Sequence, residues 1–446
     1  MKDNKKVMVN DRLLNFLSFL LGFLCCGNIF HFNVGGFYLQ FTHCVILFTF
    51  VVLIVTNKNK ILNSLLKMNR LLLLFYFIAL LSIIPAYIIF YNVSTDYIAE
   101  AIYLTFIIFI QYITIFTISD HREKILKGIA SGFAVNVVIS FIQYILYNIG
   151  IYDFTFYSIF PSPVLQVSDP VIGKCLSTDP CNRFVLEYFR PQGLFLETSY
   201  FVTFSAATSL IFFTVIKNKT FKIAIGLLMS FLLIIAGSAN LIVFLAVYVL
   251  YFLIKIRNGQ VKLRRSSLFI GIILCFLAPI GTYYYGEMAV KEGSLSNSVS
   301  VGIEKTLDDD PGNQDRGNSM TKGLSIIAKY PFGVGLGNGK NLLEKEFPEM
   351  RVKSVYNYLI HICLEVGIIG LIVYMAFIFS IIHVLYKKGR KSDYAVVMLV
   401  CFIGAFLSQI SNGNNLTFCY IIVIFALADA ESAKLKMEIK RRKMMR

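Results

Sequence analysis

The chain of 446 residues has no tryptophan, only five histidines and few charges: 15% of its residues are charged and 57% are hydrophobic. A soluble domain has about 25% charged and about 45–50% apolar residues, so this composition excludes a water-soluble globular protein. The nine cysteines form no CxxC pair, which argues against a zinc site. The sequence is that of a membrane protein.

Apolar runs of about 17–25 residues, separated by short polar breaks, predict transmembrane helices. The basic N-terminal residues lead into such a run without a small-residue cleavage site, so we expect a retained first helix rather than a cleaved signal peptide. The fold class predicted is an all-α integral membrane protein with about twelve helices. The predicted spans are residues 14–32, 36–56, 71–91, 98–118, 128–149, 196–216, 222–238, 240–256, 267–286, 356–386, 393–411 and 414–430.

The 42 Lys and Arg residues are distributed unevenly along these spans. With both termini in the cytoplasm, 30 of them fall in inner segments and the other 12 lie in two long outer loops, 150–195 and 287–355. The formal charge of +16 is therefore explained by basic inner segments that orient the chain in the membrane and attract anionic lipids. No nucleic acid is expected as a partner. The predicted organisation is a five-helix membrane region (1–149), a first outer loop (150–195), a four-helix membrane region (196–286), a large outer loop with an in-plane helix (287–355), a three-helix membrane region (356–430) and a basic cytoplasmic tail (431–446).

Long loops usually carry function, so the two outer loops are where candidate site residues are sought. In the first loop, Cys175 and Cys181 are either a local disulfide on the oxidising side or two free thiols. The loop ends in RPQGLFLETSY, in which Arg190 is a planar cation suited to phosphate or, alternatively, an interfacial arginine that reaches lipid headgroups. Glu197 follows at the first turn of a predicted helix, as a cap, a partner of Arg190 or a base.

The second outer loop contains Arg316 and then an amphipathic segment, residues 318–330, that predicts a helix on the membrane surface. Its apolar residues at helical spacing are Met320, Leu324, Ile327 and Ala328. The segment ends in PFGVGLGNGK (331–340), a glycine-rich turn that either lets the backbone approach a ligand or is a flexible re-entry turn. A Walker A motif is excluded because Asn341 occupies the position of its Ser or Thr.

The tenth predicted span begins at Tyr356 and Asn357 and contains Glu365, which helical geometry places roughly 13 Å below Tyr356. An ionisable group at that depth costs about 2.5–3.5 kcal/mol, so it needs a partner or a hydrated cavity. His361, four residues earlier, is the nearest candidate partner. A structural polar contact and a catalytic role remain open alternatives.

Four stretches of the chain, in this order, resemble motifs of the bacterial O-antigen polymerase and O-antigen ligase superfamily. RPQGLFLETSY resembles its R-x-x-G-x-F-x-E-P-S pattern, and GSANLIVFL resembles a S-R-G/T-x-L/I turn between two spans. DRGN followed by KYPFGVGLGNG resembles an Arg, an amphipathic helix and a P-x-G-x-G-x-G stretch, and YNYLIHICLEVGIIGL resembles H-N-x-x-L-x-x-x-x-E-x-G-x-x-G-L. The resemblance covers about residues 190–371.

The resemblance implies a GT-C-like fold and an inverting glycosyl transfer at the outer leaflet that needs no metal or other cofactor. By the same resemblance, Arg190 and Arg316 hold the diphosphate of an undecaprenyl-diphosphate-linked oligosaccharide, where two guanidinium groups stabilise the leaving anion. The candidate catalytic residues are Arg190, Arg316, Glu197 and Tyr356, and the candidate substrate-binding residues are Gly193, Ser238, Gly335, Gly337, Asn357 and Glu365.

The chain departs from the family pattern at three positions. Tyr356 replaces a histidine that ligases carry, Thr198 replaces a proline, and Ala239 replaces a frequent arginine beside Ser238. The loss of the histidine favours a polymerase over a ligase. It leaves the acceptor base open among Glu197, Tyr356 and Glu365.

The function expected is a repeat-unit polymerase for O-antigen, capsule or exopolysaccharide in the bacterial inner membrane, with both termini cytoplasmic. The alternatives are an O-antigen ligase and a lipid-linked oligosaccharide flippase. A flippase is disfavoured because no paired internal repeat is evident. Membrane lipids are expected partners, and a chain-length regulator protein is a further candidate.

Overall fold

The structure, a computed structural model, describes residues 2–27, 31–34, 37–91, 94–149, 191–195, 198–236, 238, 240–259, 311–350, 355–389, 392–412 and 418–444. These residues are almost entirely helical. The helices, numbered in chain order, are α1 (Lys2–Leu24), α2 (Phe41–Lys67), α3 (Arg70–Leu81), α4 (Ile83–Phe90), α5 (Thr95–Phe106), α6 (Ile113–Thr117), α7 (Arg122–Asn148), α8 (Thr198–Val215), α9 (Lys219–Ile235), α10 (Leu241–Arg257), α11 (Pro311–Lys329), α12 (Asn338–Glu346), α13 (Tyr358–Lys388), α14 (Asp393–Asn412) and α15 (Cys419–Met444).

Six helical segments of the described residues are long and apolar enough to cross a membrane. They are Phe41–Lys67, Arg70–Phe90, Thr95–Leu146, Thr198–Val215, Tyr358–Lys387 and Asp393–Ser411. The predicted number of twelve is therefore not confirmed. Thr95–Leu146 contains the fourth predicted span and most of the fifth, because a π-helical turn (Ile107–Tyr112) and a 3-10 turn (Ile118–His121) continue the helix. The predicted span 267–286 lies outside the described residues.

One short β-hairpin corrects the start of the second predicted span. Strands β1 (His31–Val34) and β2 (Phe37–Gln40) pair antiparallel, with Val34 opposite Phe37. Aromatic and β-branched residues favour strands, and the Gly35-Gly36 sequence is typical of two-residue hairpins. The transmembrane helix consequently begins at Phe41 instead of residue 36.

The chain folds into two compact units, each built from separated stretches. The first unit comprises Met1–Ser18, Val45–Arg122 and Asp309–Arg446, and the second comprises Phe19–Cys44 and Glu123–Asp308. The six-region organisation expected from the sequence stays a prediction.

In the first unit, α13 is the central helix and packs against α3, α11, α12, α14 and α15. Its buried side chains recur at helical spacing and include Tyr374, Phe377, Ile378 and Ile381. The opposite side is also apolar, with Ile372 and Phe379 more than half exposed. A helix that is apolar on both sides suits a position between protein and lipid.

In the second unit, α8 is buried over nearly its whole length and packs against α10. Rings of Phe133 on α7 and of Phe204 and Phe212 on α8 are in contact, with centroids 6.1 and 5.3 Å apart. Gly22 and Gly128 let the end of α1 and α7 approach so closely that a Cβ at either would overlap backbone of the other helix. Small residues at such crossings are typical of membrane helix packing.

Candidate active site

Several predicted site residues fall outside what the structure describes. Arg190 and Glu197 are outside the described residues, and so are Cys175 and Cys181. Arg316 belongs to α11, but its side chain is not among those described. The roles of these residues stay predictions.

Gly193 lies at a buried turn of the second unit that two amide side chains of α7 hold. Gln143 Oε1 accepts a hydrogen bond from the Gly193 N–H at 3.0 Å, and Gln143 Nε2 donates to the Gly193 carbonyl at 3.2 Å. Asn136 Oδ1 accepts from the Leu194 N–H at 2.8 Å. Gly193 has φ +60°, and a Cβ there would lie 2.7 Å from Asn136 Oδ1. The chain that follows Arg190 in the sequence is thus anchored at Gly193.

Ser238 lies between α9 and α10, also in the second unit. Its hydroxyl accepts a hydrogen bond from the Asn240 N–H at 3.3 Å, and the residue is half-buried. The observed contact stabilises the turn between the two helices. A contact with substrate stays a prediction.

In the first unit, the glycine-rich loop 331–337 docks against a break in α13. The break is at Gly367, where φ is 86° and ψ is 173°, and it frees backbone groups on both sides. Three backbone hydrogen bonds join loop and break: Val334 N–H to the Leu364 carbonyl at 2.9 Å, Gly335 N–H to the Glu365 carbonyl at 2.9 Å, and Ile368 N–H to the Pro331 carbonyl at 3.0 Å. The loop therefore supplies the partners that a broken membrane helix requires.

The glycines of this loop are needed for that docking. Gly333, Gly335 and Gly337 have φ between 71° and 89°, a region that glycine adopts readily and other residues rarely. A Cβ at Gly333 would lie 2.5 Å from the Glu365 carbonyl oxygen, and one at Gly335 would lie 2.5 Å from Ala86 Cβ. The close approach expected from the sequence is made to the protein itself. Contact of Gly335 and Gly337 with a substrate stays a prediction.

Glu365 is buried, with 5% of its surface exposed, and its carboxylate has two protein neighbours. Oε1 accepts from the N–H of Gly339, in the first turn of α12, at 3.4 Å, and Oε2 lies 3.4 Å from His361 Nε2. A carboxylate at a helix N-terminus is stabilised by the helix dipole. The pairing of Glu365 with His361, expected from the spacing of four residues, is confirmed.

The start of α5 also meets the start of α12. Ser94 donates from its hydroxyl to Asn338 Oδ1 at 2.6 Å, and Asn341 Nδ2 donates to Asp96 Oδ2 at 2.8 Å. These contacts join two segments that the sequence separates by more than 240 residues. They fix α12 beside α5.

A small cavity of about 60 Å³ lies between α3, α5, α13 and the glycine-rich loop. Its polar lining residues are Glu100, Tyr103, Tyr358, His361 and Glu365, and its apolar lining residues are Phe75, Leu104, Ile107, Leu336, Ile362 and Val366. The volume suits a few water molecules and not a whole sugar ring. Among the side chains that the structure describes, no cluster of three His, Cys, Asp or Glu residues is arranged to hold a metal ion.

Glu100, Tyr103 and Tyr358 are site residues that the motifs did not reveal. The signal for Glu100 was present in the sequence, since it lies inside the predicted span 98–118. An ionisable residue within a membrane span is a functional candidate, because placing it there costs free energy. The two tyrosines carry no such signal, because tyrosine is abundant in this chain.

Tyr356 and Asn357 lie at the start of α13. The Asn357 side chain caps the helix, accepting from the N–H groups of Leu359 at 3.0 Å and Ile360 at 3.2 Å. Tyr356 lies at a bend just before Asn357 and is half-buried. Asn357 therefore has a clear structural role, and its contact with substrate stays a prediction.

Helix α11 covers the predicted segment 318–330 except for Tyr330, but it begins earlier, at Pro311. Its place on the membrane surface stays a prediction. The structure shows which of its sides packs on protein. The buried residues are Ser319, Gly323, Ile326 and Ile327. Of the predicted apolar residues, Ile327 is buried and Leu324 is 53% exposed. Gly323 allows close packing, since a Cβ there would lie 3.1 Å from Val355.

The exposed side of α11 is tied to α12 by charged contacts. Lys329 Nζ lies 2.5 Å from Glu346 Oε1, and this hydrogen bond raises the pKa of Lys329. Lys322 Nζ lies 4.4 Å from the ring centroid of Phe347, just after α12. Exposed contacts of this kind orient the helices and contribute little to stability.

A family model described as O-antigen ligase matches residues 224–375, about a third of the chain. Within the described residues, the match includes α10, α11, α12, the glycine-rich loop, Tyr356, Asn357 and the broken part of α13. No curated protein is matched by the chain. The match confirms, over that part of the chain, the resemblance to the O-antigen polymerase and ligase superfamily.

Proposed function

We propose that this protein is a polysaccharide repeat-unit polymerase. It transfers a growing glycan from undecaprenyl diphosphate onto a lipid-linked repeat unit at the outer face of the bacterial inner membrane. The product is O-antigen, capsule or exopolysaccharide.

The observation that carries this proposal is the assembly of the matched motifs in the first unit. The glycine-rich loop docks into the break of α13 beside Glu365, and Tyr356 and Asn357 begin the same helix. α11, which contains Arg316, packs against α13. Two of the four stretches that resemble family motifs are thus neighbours in space, as a shared site requires.

The chemistry proposed is an inverting displacement without a metal. The acceptor hydroxyl attacks the anomeric carbon, and the lipid diphosphate leaves with the bonding electron pair. Arg190 and Arg316 bind the departing diphosphate, because fixed guanidinium groups stabilise the charge that develops there. Gly193, Ser238, Gly335, Gly337, Asn357 and Glu365 are the proposed substrate-binding residues.

The acceptor distinguishes a polymerase from a ligase. Tyr356, at the position of the ligase histidine, favours the polymerase. The family description, O-antigen ligase, favours the alternative of transfer to a different acceptor. Extension of a synthetic lipid-linked repeat by the purified protein would support the polymerase, and transfer only to a lipid A core would support the ligase.

Two contacts within the first unit support the predicted grouping of segments on the two sides of the membrane. Lys60 and Asp120, both on the predicted cytoplasmic side, form an ion pair at 2.9 Å. Asp96 and Asn341, both on the predicted outer side, form a hydrogen bond at 2.8 Å. Residues assigned to one side of the membrane thus contact each other, which agrees with the predicted grouping of these segments on two sides.

The proposal is tested by gel analysis of surface glycan in a deletion strain complemented with wild type, Arg190→Ala or Arg316→Ala. We expect each variant to lose the polymer ladder and keep a core-plus-one-repeat band. Arg441→Ala, an exposed arginine of α15 on the predicted cytoplasmic side, is the matched control and should keep the ladder. Lys at position 190 or 316 should restore only part of it, since a point charge cannot reproduce a bidentate fork.

Other outcomes would contradict parts of the proposal. Long polymer with either alanine variant at normal expression would exclude the diphosphate role of that arginine. Loss of the one-repeat band as well would indicate ligation instead of polymerisation. Accumulation of lipid-linked repeats on the cytoplasmic side would indicate flipping.

A further inference from the structure

Glu100 is a carboxylate within the membrane-spanning part of the chain that has no protein partner among the described residues. It lines the small cavity of the first unit and takes part in no hydrogen bond or ion pair with the described residues. A structural carboxylate at such a place is normally paired, because an unpaired one is costly. Glu100 is therefore suited to bind a polar group that enters the cavity from outside the protein.

Glu100 faces a second carboxylate across the N-terminal turn of α12. A Cβ at Gly337 would lie 3.1 Å from Glu100 Cγ, and a Cβ at Gly339 would lie 3.1 Å from Glu365 Oε1. The first turn of α12 thus lies between the two carboxylates. The Gly339 N–H of this turn donates to Glu365 Oε1, and a helix N-terminus favours negative charge beside it.

His361 completes this group as an imidazole held by a carboxylate. Its Nε2 lies 3.4 Å from Glu365 Oε2, so Nδ1 is left to accept a proton. Its side chain is 20% exposed and stands in the first turn of α13, whereas Glu365 lies one turn deeper. An imidazole oriented by a carboxylate is a common general base.

We propose that His361 is the general base for the acceptor hydroxyl, with Glu365 and Glu100 as positioning residues. The acceptor O–H bond breaks as its oxygen bonds to the anomeric carbon, and the proton passes to His361 Nδ1. The bond from that carbon to the diphosphate oxygen breaks, and the lipid diphosphate keeps the electron pair. Glu365 stabilises the imidazolium, and Glu100 orients the hydroxyl or a bridging water in the cavity.

This inference rests on the proposed glycosyl transfer and assigns its missing base. The position of the ligase histidine is occupied here by Tyr356. The imidazole of His361 is present five residues later, in the first turn of α13 and beside the cavity. Tyr356 is not needed as a base in this arrangement.

The test measures transfer rates in membranes of a deletion strain supplied with lipid-diphosphate-linked repeat. His361→Ala should lower the rate by about 10²-fold or more, and added imidazole should recover part of it. His361→Gln retains a hydrogen-bond donor to Glu365 but accepts no proton, so it should be as slow as the alanine variant. His383→Ala, an exposed histidine of the same helix, is the matched control and should match wild type.

The role of Glu100 is tested by Glu100→Gln, which removes the charge at nearly constant volume. We expect a fall in kcat of about tenfold or more, smaller than the loss expected for the base itself because Glu100 only orients the hydroxyl or water. Asp96→Asn, one turn earlier on α5, is its control and should stay within about twofold, because Asp96 is satisfied by Asn341. A wild-type rate for Glu100→Gln would exclude its positioning role.

Full activity of His361→Ala, restoration by His361→Gln, or no response to imidazole in normally expressed protein would overturn the base assignment. Failure of the proposed polymerase is distinguishable from these results. In that case wild type itself would not extend the lipid-linked repeat. An active wild type with an equally active His361→Ala variant refutes the base alone.

Discussion

The break in α13 makes a quantitative prediction for Gly367→Ala. Gly367 has φ 86° and ψ 173°, a region that costs a non-glycine residue about 1–3 kcal/mol. The new Cβ would also lie 2.5 Å from the Phe332 carbonyl carbon, so the loop must move. That movement weakens three backbone hydrogen bonds, each with a net value of about 1 kcal/mol. We expect a loss of about 2–5 kcal/mol in the free energy of unfolding.

The assay is thermal unfolding in detergent, followed by the amount of monodisperse protein left after heating. Gly317→Ala in α11 is the matched control, because nothing lies within 4 Å of its Cβ position. Alanine favours a helix over glycine by up to about 1 kcal/mol, so this variant should be as stable as wild type or more so. An unchanged midpoint for Gly367→Ala beside a normal control would refute the argument that the docked loop requires glycine here.

Two further replacements test buried polar contacts by the same assay. Gln143→Leu leaves the N–H and the carbonyl of buried Gly193 unpaired, so it should lower the free energy of unfolding by about 1–3 kcal/mol. Wild-type stability of this variant would show that the contact of Gln143 with Gly193 is dispensable. Arg122→Ala removes the partner of Glu431, which lies 2.6 Å away and is 6% exposed, and should cost up to about 3 kcal/mol. If the loss comes from the unpaired buried carboxylate of Glu431, adding Glu431→Gln should recover part of it. A double variant no more stable than Arg122→Ala would contradict that cause.

The sequence predicts helices well where apolar runs are long, as in α2, α13 and α14. It does not predict the hairpin before α2, because Phe37, Tyr38 and Leu39 lead directly into the apolar run of the helix. Apolar residues of a membrane helix face either protein or lipid. Hydropathy therefore cannot tell which side of the helix packs on protein and which side faces lipid. For the same reason the pattern in α11 did not show that Gly323 packs on protein and that Leu324 is exposed.

The candidate site is predictable only where local spacing determines it. The pairing of His361 with Glu365 follows from four residues of helix and is observed. Glu100 reaches the same cavity from α5, more than 250 residues earlier in the chain, and no local spacing encodes that approach. Only its position within a predicted span marked it as unusual.

The glycine-rich loop and the break in α13 pack together backbone to backbone, which explains why both need glycine. A Cβ at Gly333 would lie 2.6 Å from the Gly367 nitrogen, and a Cβ at Gly367 would lie 2.5 Å from the Phe332 carbonyl carbon. Neither glycine can carry a side chain, because backbone meets backbone and satisfies the groups that the broken helix frees. A rigid backbone joint thus fixes the main chain of Glu365 and leaves its carboxylate 3.4 Å from His361 Nε2, as the proposed positioning role of Glu365 requires.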